Sequence, residues 1–340
     1  MKKLIKFCIM AVLVVIVIGF LLSAAMSFTK GSDYANDFWV EVTGGKIDGW
    51  MDRVEEWGEK GKNLLQGIKV GGDELLDHVF NGYDGLEGYD IDDAIIFNSD
   101  EAVESGNIDR VFDNMSASVL HVEIGGCALE ILESEDGSAR VVAENVGKFQ
   151  AYQKGNELRI TSTRKAREDA EDSKITLYLP AGYNWQEVDL EVGAGVIRIG
   201  GTNASGMTAF KMDLEVGAGQ IVAEGLKVSE LDASVGAGEI RLNEMEVGIL
   251  GASAGVGNFV AQGTVTGSVE AECSMGNLEL KLIGSQTDYD YELECVAGNI
   301  KIGEEQYGGG VAKEQKINNG ADRRIDLECS MGNIAVTFEQ

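Results

Sequence analysis

Proline is almost missing from this chain, with Pro180 alone in 340 residues, whereas glycine occurs 45 times. Chain reversals must therefore be built by glycine, which suits tight corners repeated at intervals. Histidine is nearly as scarce. His78 and His121 lie far apart, with no cysteine at metal-ligand spacing, which argues against a histidine-based metal centre. Positive charge is also short: 28 Lys and Arg face 57 Asp and Glu, for a formal charge of −29. That balance excludes nucleic-acid binding through phosphate neutralisation and a direct electrostatic pull to anionic lipid. Aromatic platforms for sugars are few, since Trp185 precedes the repeats and Phe259 falls in an inward position. No phosphate-binding loop, nucleophile elbow or zinc-protease helix signature occurs.

What the chain does have is a recurring phrase. Residues 189–199 read DLEVGAGVIRI, and altered copies align on the last glycine at Gly195, Gly219, Gly238, Gly257, Gly276, Gly298 and Gly332. The intervals are 24, 19, 19, 19, 22 and 34 residues, and a near-fixed period of this size marks stacked supersecondary units. Three residues before the glycine stand Val192, Val216, Val235, Ala254, Cys273, Cys295 and Cys329. Two and four residues after it stand pairs such as Ile197 and Ile199, Ile240 and Leu242, and Leu278 and Leu280. Polar residues fill most positions between. Alternation with a period of two on both sides of the glycine predicts two short strands with one buried face. A coil of about 19 residues has no room for a helical crossover, so each strand pairs with its counterpart one coil away, at roughly 4.8 Å.

The expected fold is therefore all-β, a parallel β-solenoid of short coils over residues 113–340. Each copy stacks on its predecessor, and glycine takes left-handed corners. Less regular strands over 118–124, 128–132, 140–143, 157–160 and 175–179 cap the stack. The charged stretch 164–172 reads as a solvated loop, and the insertion 303–322 as either a binding loop or a flexible one. The inward cysteines read as buried small hydrophobes, since parallel side chains make poor disulfide geometry.

The Gly-Ala-Gly at 217–219, the Gly-Asn at 298–299 and the segment KITLYLP at 174–180 resemble a known family, the bacterial putative-adhesin β-strand repeat domain of DUF4097 type. The resemblance covers about residues 113 to 340. It implies a role in adhesion, scaffolding or envelope-stress sensing, and it carries over no catalytic residue and no cofactor.

Residues 1–27 place Lys2, Lys3 and Lys6 before an apolar run. The run reaches about 20 residues, enough to span a membrane with a cytoplasmic amino terminus and the solenoid outside the cell. A cleaved signal peptide is the alternative, given small residues around Ala25 and Ser27. Residues 28–112 read as a juxtamembrane stalk. Ile47, Trp50, Val54, Trp57, Leu64, Leu65 and Ile68 recur at helical spacing, and an acidic linker runs through Asp84, Glu87, Asp90, Asp92 and Asp93.

The candidate site is acidic. Six residues before the glycine stand Asp189, Asp213, Asp232, Glu270, Glu292 and Asp326; four before it stand Glu191, Glu215, Glu272, Glu294 and Glu328. Carboxylates thus fill eleven of fourteen outward positions, and like charges one strand apart repel by about 1 kcal/mol or less where water screens them. Three readings stand. The ladder weakly collects Ca²⁺ or Mg²⁺, or docks a cationic peptide or protein of the envelope, or solubilises the rod and blocks lateral association. No compact oxygen cage is evident. The expected function is that of a non-catalytic cell-envelope protein. The alternatives are a polysaccharide-active enzyme with paired carboxylates, and a module that self-associates through solenoid ends, since the last coil ends at Phe338 without an obvious cap.

Overall fold

In the computed structural model, which describes residues 95, 97–113, 115–163, 173–200, 206–308 and 313–339, the alternating pattern becomes strands with one buried face. With strands numbered in chain order, β11 (Lys227–Val235) buries Val228, Leu231, Ala233 and Val235, and β13 (Asn258–Val265) buries Phe259, Ala261 and Val265. Counterpart strands then pair in parallel, forming two ladders that run along the coils.

One ladder holds the strands that precede each glycine corner. Its order is β5 (Glu157–Ser162), β2 (Val119–Ile124), β7 (Asn184–Val192), β9 (Thr208–Val216), β11, the second half of β12 (Glu239–Ala254), β14 (Val269–Cys273), β20 (Arg323–Cys329) and β16 (Tyr289–Cys295). The other ladder holds the strands that follow the corner. Its order is β6 (Lys174–Leu179), β3 (Ala128–Glu133), β8 (Val196–Ile199), β10 (Gln220–Glu224), the first half of β12, β13, β15 (Asn277–Ile283), β21 (Asn333–Glu339) and β17 (Asn299–Ile302). The parallel solenoid expected from the repeat is thus present. Inward columns such as Ile221, Ile240, Phe259, Leu278, Ile334 and Ile300 are buried throughout. Each such side chain contributes about 1.5–3 kcal/mol on burial, too little for one coil to offset its own ordering entropy, so the coils hold one another.

Coil order in space departs from coil order in sequence at both ends. The carboxyl-terminal coil, β20 with β21, is inserted between the 269–283 coil and the 289–302 coil. At the other end the coil of β2 and β3 lies inside the coil of β5 and β6. The inserted coil is fastened by its own side chains: the Arg323 guanidinium lies 4.3 Å from the centre of the Tyr289 ring and pairs with Asp288 at 2.9 Å. Tyr289 is fully buried, and its hydroxyl donates to the Val265 carbonyl at 2.9 Å. The expectation that each copy stacks on its predecessor holds only from β7 to β15.

Antiparallel strands close both ends. The long β4 (Ala139–Lys154) pairs with β6 through its first part and β5 through its last, turning between ladders at Asn145, whose φ is 52°. β1 (Glu104–Phe112) then pairs with β4, so folded structure begins upstream of the expected boundary at 113. At the far end, β18 (Glu305–Gly308) pairs with β17 and β19 (Lys313–Ile317) with β16. The 303–322 insertion is therefore an antiparallel cap around the undescribed residues 309–312 and not a structureless loop. Phe338 does not end the stack.

The corner glycines also work differently from expectation. None of Gly195, Gly219, Gly238, Gly257, Gly276, Gly298 and Gly332 has a positive φ. A Cβ on Gly238 would instead stand 2.0 Å from the Gly219 carbonyl oxygen of the preceding coil. Glycine is required there for close backbone approach and not for left-handed geometry. The membrane segment at 1–27, the helical stretch through Ile68, the acidic linker and the 164–172 loop lie outside the described residues. Among the described residues no helix is long and apolar enough to cross a membrane.

Candidate functional site

The registers place both acidic columns on the ladder that precedes the corner, in an order set by the inserted coil. One column runs Asp189, Asp213, Asp232, Gly251, Glu270, Asp326 and Glu292. The other runs Glu191, Glu215, Ser234, Ser253, Glu272, Glu328 and Glu294. Gly251 interrupts the first, and Ser234 and Ser253, hydrogen-bonded at 3.1 Å, interrupt the second. The eleven carboxylates thus fall into two acidic patches, separated where Gly251, Ser234 and Ser253 take their place.

The patch nearer the amino-terminal end is internally compensated. His121 on β2 stands 3.0 Å from Asp189 through Nδ1 and 2.9 Å from Arg159 through Nε2. Arg159 can only donate, so Nε2 accepts and the Nδ1 proton is directed at Asp189. Arg159 also faces Glu123 at 4.0 Å and Glu157 at 3.5 Å, and Asp213 pairs with Lys211. Between Glu123 and Glu215, Glu191 is partly desolvated, and burial followed by its like-charged neighbours pushes its carboxyl above the usual range.

The patch nearer the carboxyl-terminal end divides by column. Asp326 receives Arg324 Nε at 2.7 Å, and Glu292 receives Lys316 Nζ at 2.7 Å together with Arg324. The Lys316 hydrogen bond chiefly holds the Glu292 carboxyl below its ordinary value. Glu270, Glu272, Glu328 and Glu294 have no ion pair to a described side chain. Glu272, Glu328 and Glu294 stand on three adjacent strands, and Glu314 of β19 continues the row beside Glu294. Desolvation, then Glu272 and Glu294, push the Glu328 carboxyl upward. An array of this kind attracts mobile cations or a cationic surface. Among the described residues no group of three or more His, Cys, Asp or Glu side chains is arranged to hold a metal ion.

Two further columns emerge from the registers. Directly after the corner, Asn277 donates to Asn258 and Asn333 donates to Asn277, each at 3.0 Å, while Gln306 donates to Asn299 at 2.6 Å. This amide ladder ties the coils together along one edge. Its signal was the Gly-Asn pair repeated at 257–258, 276–277, 298–299 and 332–333. Inside the same corner, Cys273, Cys329 and Cys295 are consecutive, buried and unbridged. The Cys273 sulfur beside it and burial push the Cys329 thiol upward, and burial does the same to Cys295.

No curated protein matches the chain. Solved structures similar to it include a putative adhesin from Bacteroides fragilis, 15% identical with a TM-score of 0.39, covering 69% of this chain and 98% of that one. A putative adhesin from Parabacteroides distasonis is 12% identical with a TM-score of 0.34, over 69% of this chain and 98% of its own. A putative lipid binding protein from the same organism is 14% identical with a TM-score of 0.32, over 69% and 97%. The family model described as Toastrack DUF4097 matches residues 118–337, well over half of the sequence and nearly all of the solenoid, and the chain belongs to that family.

Proposed function

We propose that this protein is a non-catalytic component of the cell envelope, anchored by residues 1–27, whose solenoid docks a cationic peptide or the cationic surface of a partner protein. The observation that carries this reading is the row of glutamates Glu272, Glu328 and Glu294 on adjacent strands, without an ion pair among the described residues, next to carboxylates that are already neutralised. Repulsion along that row is relieved when an opposite charge arrives, which favours a polyvalent cationic partner over single dispersed ions. Ca²⁺ and Mg²⁺ then act as weak competitors. A glycan-cleaving role is less well supported, because the carboxylates form a repeated row and not one local acid–base pair. End-to-end assembly loses its main argument, since the last coil is enclosed and both ends carry antiparallel strands.

The test is capture of a lysine-rich peptide, and of components of the producing cell's own envelope fraction, by the full-length protein with and without Ca²⁺. Replacing Glu272, Glu294 and Glu328 by Gln is expected to abolish salt-sensitive capture, whereas replacing Glu191 and Glu215 leaves most of it. Capture unchanged by the first triple replacement removes this face as the contact surface.

A further inference from the structure

The order of the last three coils brings Cys273, Cys329 and Cys295 together on β14, β20 and β16, with Cys329 in register with both of the others. All are free thiols, and none is more than 3% exposed. In-register parallel neighbours stand roughly 4.8 Å apart, within the Cα separation that a disulfide accepts. Cys273 and Cys295 are two strands apart, at about 9.6 Å, well outside it. Stacking in chain order would have made Cys295 the middle sulfur; insertion of the last coil makes it Cys329.

Parallel side chains alone hold two sulfurs at strand spacing, so a bridge needs one of them to turn. The corners supply the room. A Cβ on Gly332 would fall 2.5 Å from the Cys273 sulfur, one on Gly298 would fall 2.4 Å from the Cys329 sulfur, and one on Gly308 would fall 3.3 Å from the Cys295 sulfur. The Cys273 and Cys329 thiols therefore project beneath corner glycines of the next coil out, and the Cys295 thiol lies beneath Gly308 at the end of β18. The Cys273 and Cys329 thiols are restrained by weak hydrogen bonds to the Gly276 and Gly332 carbonyls, each at 3.1 Å. Among the described residues, only β18 and β19, of four and five residues, lie outside the outermost coil of β16 and β17. Opening of that end uncovers Cys295 first, and Cys329 and then Cys273 only as the coils behind it loosen.

We propose that the three cysteines form a thiol–disulfide exchange site, with Cys329 as the shared partner, that reacts with small disulfides and closes either a Cys273–Cys329 or a Cys295–Cys329 bridge. In the first step one cysteine thiolate attacks a sulfur of the small disulfide, forming a mixed disulfide and releasing one small thiol. The second cysteine then attacks the protein sulfur of that mixed disulfide and releases the other small thiol. Two protein thiols give up two protons and two electrons, and one small disulfide becomes two thiols. The Cys273 hydrogen bond and burial push the Cys329 thiol upward and burial raises Cys295, while the hydrogen bond from Cys329 lowers Cys273; exchange is slow because access is limited by opening of that end of the stack. Either bridge staples the inserted coil to a neighbouring one.

The test uses the folded full-length chain carrying Cys8→Ser and Cys127→Ser, incubated with oxidised glutathione, alkylated, and mapped by mass spectrometry without reduction. Peptides joined through Cys273–Cys329 and Cys295–Cys329 are expected, with loss of both links on reduction. Cys329→Ala is expected to abolish every bridge while leaving glutathione adducts on the remaining cysteines. Cys273→Ala and Cys295→Ala each leave the other link. Alanine already fills this inward column at Ala254, and a circular dichroism spectrum verifies folding of each variant. A Cys273–Cys295 bridge, or the absence of any bridge in the folded parent chain, overturns the proposal.

Discussion

Gly238→Ala isolates the physical requirement of the corner. The new methyl carbon would lie 2.0 Å from the Gly219 carbonyl oxygen, 2.7 Å from Val216 Cγ1 and 2.9 Å from the Ala218 carbonyl carbon. The carbonyl in its way also accepts the Glu239 backbone N–H at 3.0 Å, so moving it aside strains one of the hydrogen bonds that join successive coils. Overpacking of this kind costs about 1–3 kcal/mol, and weakening a buried backbone hydrogen bond adds to it. We expect about 3 kcal/mol in total, or roughly 6–12 °C in Tm for a unit of this size. Gly236→Ala is the control. Its Cβ would stand 2.9 Å from the Gly217 carbonyl oxygen, and the equivalent position in other coils already holds Ser274, Ser330 and Val296. A loss within about 1 kcal/mol is expected there, partly offset by the lower entropy of the unfolded chain. Thermal unfolding of the full-length chain, followed by circular dichroism, reads both. Gly238→Asn separates the causes, because a left-handed requirement would favour Asn over Ala whereas close approach makes Asn no better. Equal losses in Gly236→Ala and Gly238→Ala, or rescue by Asn, would refute the close-approach account.

Stability should also depend on pH in a direction set by the acidic face. Glu191 and Glu328 have folded values raised above the ordinary 4.5, so the cost of charging them is complete above those values and disappears as pH falls through them. Glu292 and Asp109 are lowered, so their stabilisation is lost only as pH falls through their depressed values. At low salt Tm is expected to rise from pH 7 to about pH 5 and to fall below about pH 4, and Glu191→Gln with Glu328→Gln should flatten the rise. A steady fall from neutrality, unchanged by those substitutions, would contradict this. Asn277→Ala removes two links of the amide ladder, to Asn258 and Asn333, and should cost about 1 kcal/mol by chemical denaturation. Asn258→Ala, which removes one link of the row, should cost about half as much.

Much of the solenoid was legible because its signal is local and repeated. Val216, Val235 and Ala254 mark one inward column, Ile221, Ile240 and Phe259 another, and the short period leaves no room for crossover helices. Glycine's reason for being at Gly238 was not legible, because the letter is the same whether the need is a positive φ or the absence of a Cβ. The acidic columns were legible as columns, but their charge balance was not. His121 reaches Asp189 from a strand outside the regular repeats, and Lys316 reaches Glu292 from the insertion. Only the fold shows which carboxylates keep their field.

Coil order at the carboxyl-terminal end was hidden for a different reason. The 34-residue interval before Gly332 looks like a loop inserted between neighbours, yet those neighbours in sequence are stacked in the reverse order. In the regular part of the rod, Asn277 reaches back 19 residues to Asn258, whereas Asn333 reaches back 56 residues to Asn277. The longer loop adds closure entropy only logarithmically, so the exchange is cheap in stability, but its contacts form later than local ones. Tyr289 and Arg323 are what make the reversed order specific, since the buried ring, its hydroxyl bond to Val265 and the guanidinium above it require β20 beside β16. The same reversal sets Glu328 between Glu272 and Glu294 and Cys329 between Cys273 and Cys295. Tyr289→Leu should therefore weaken the exposed glutamate row and the thiol trio together, even though it touches neither.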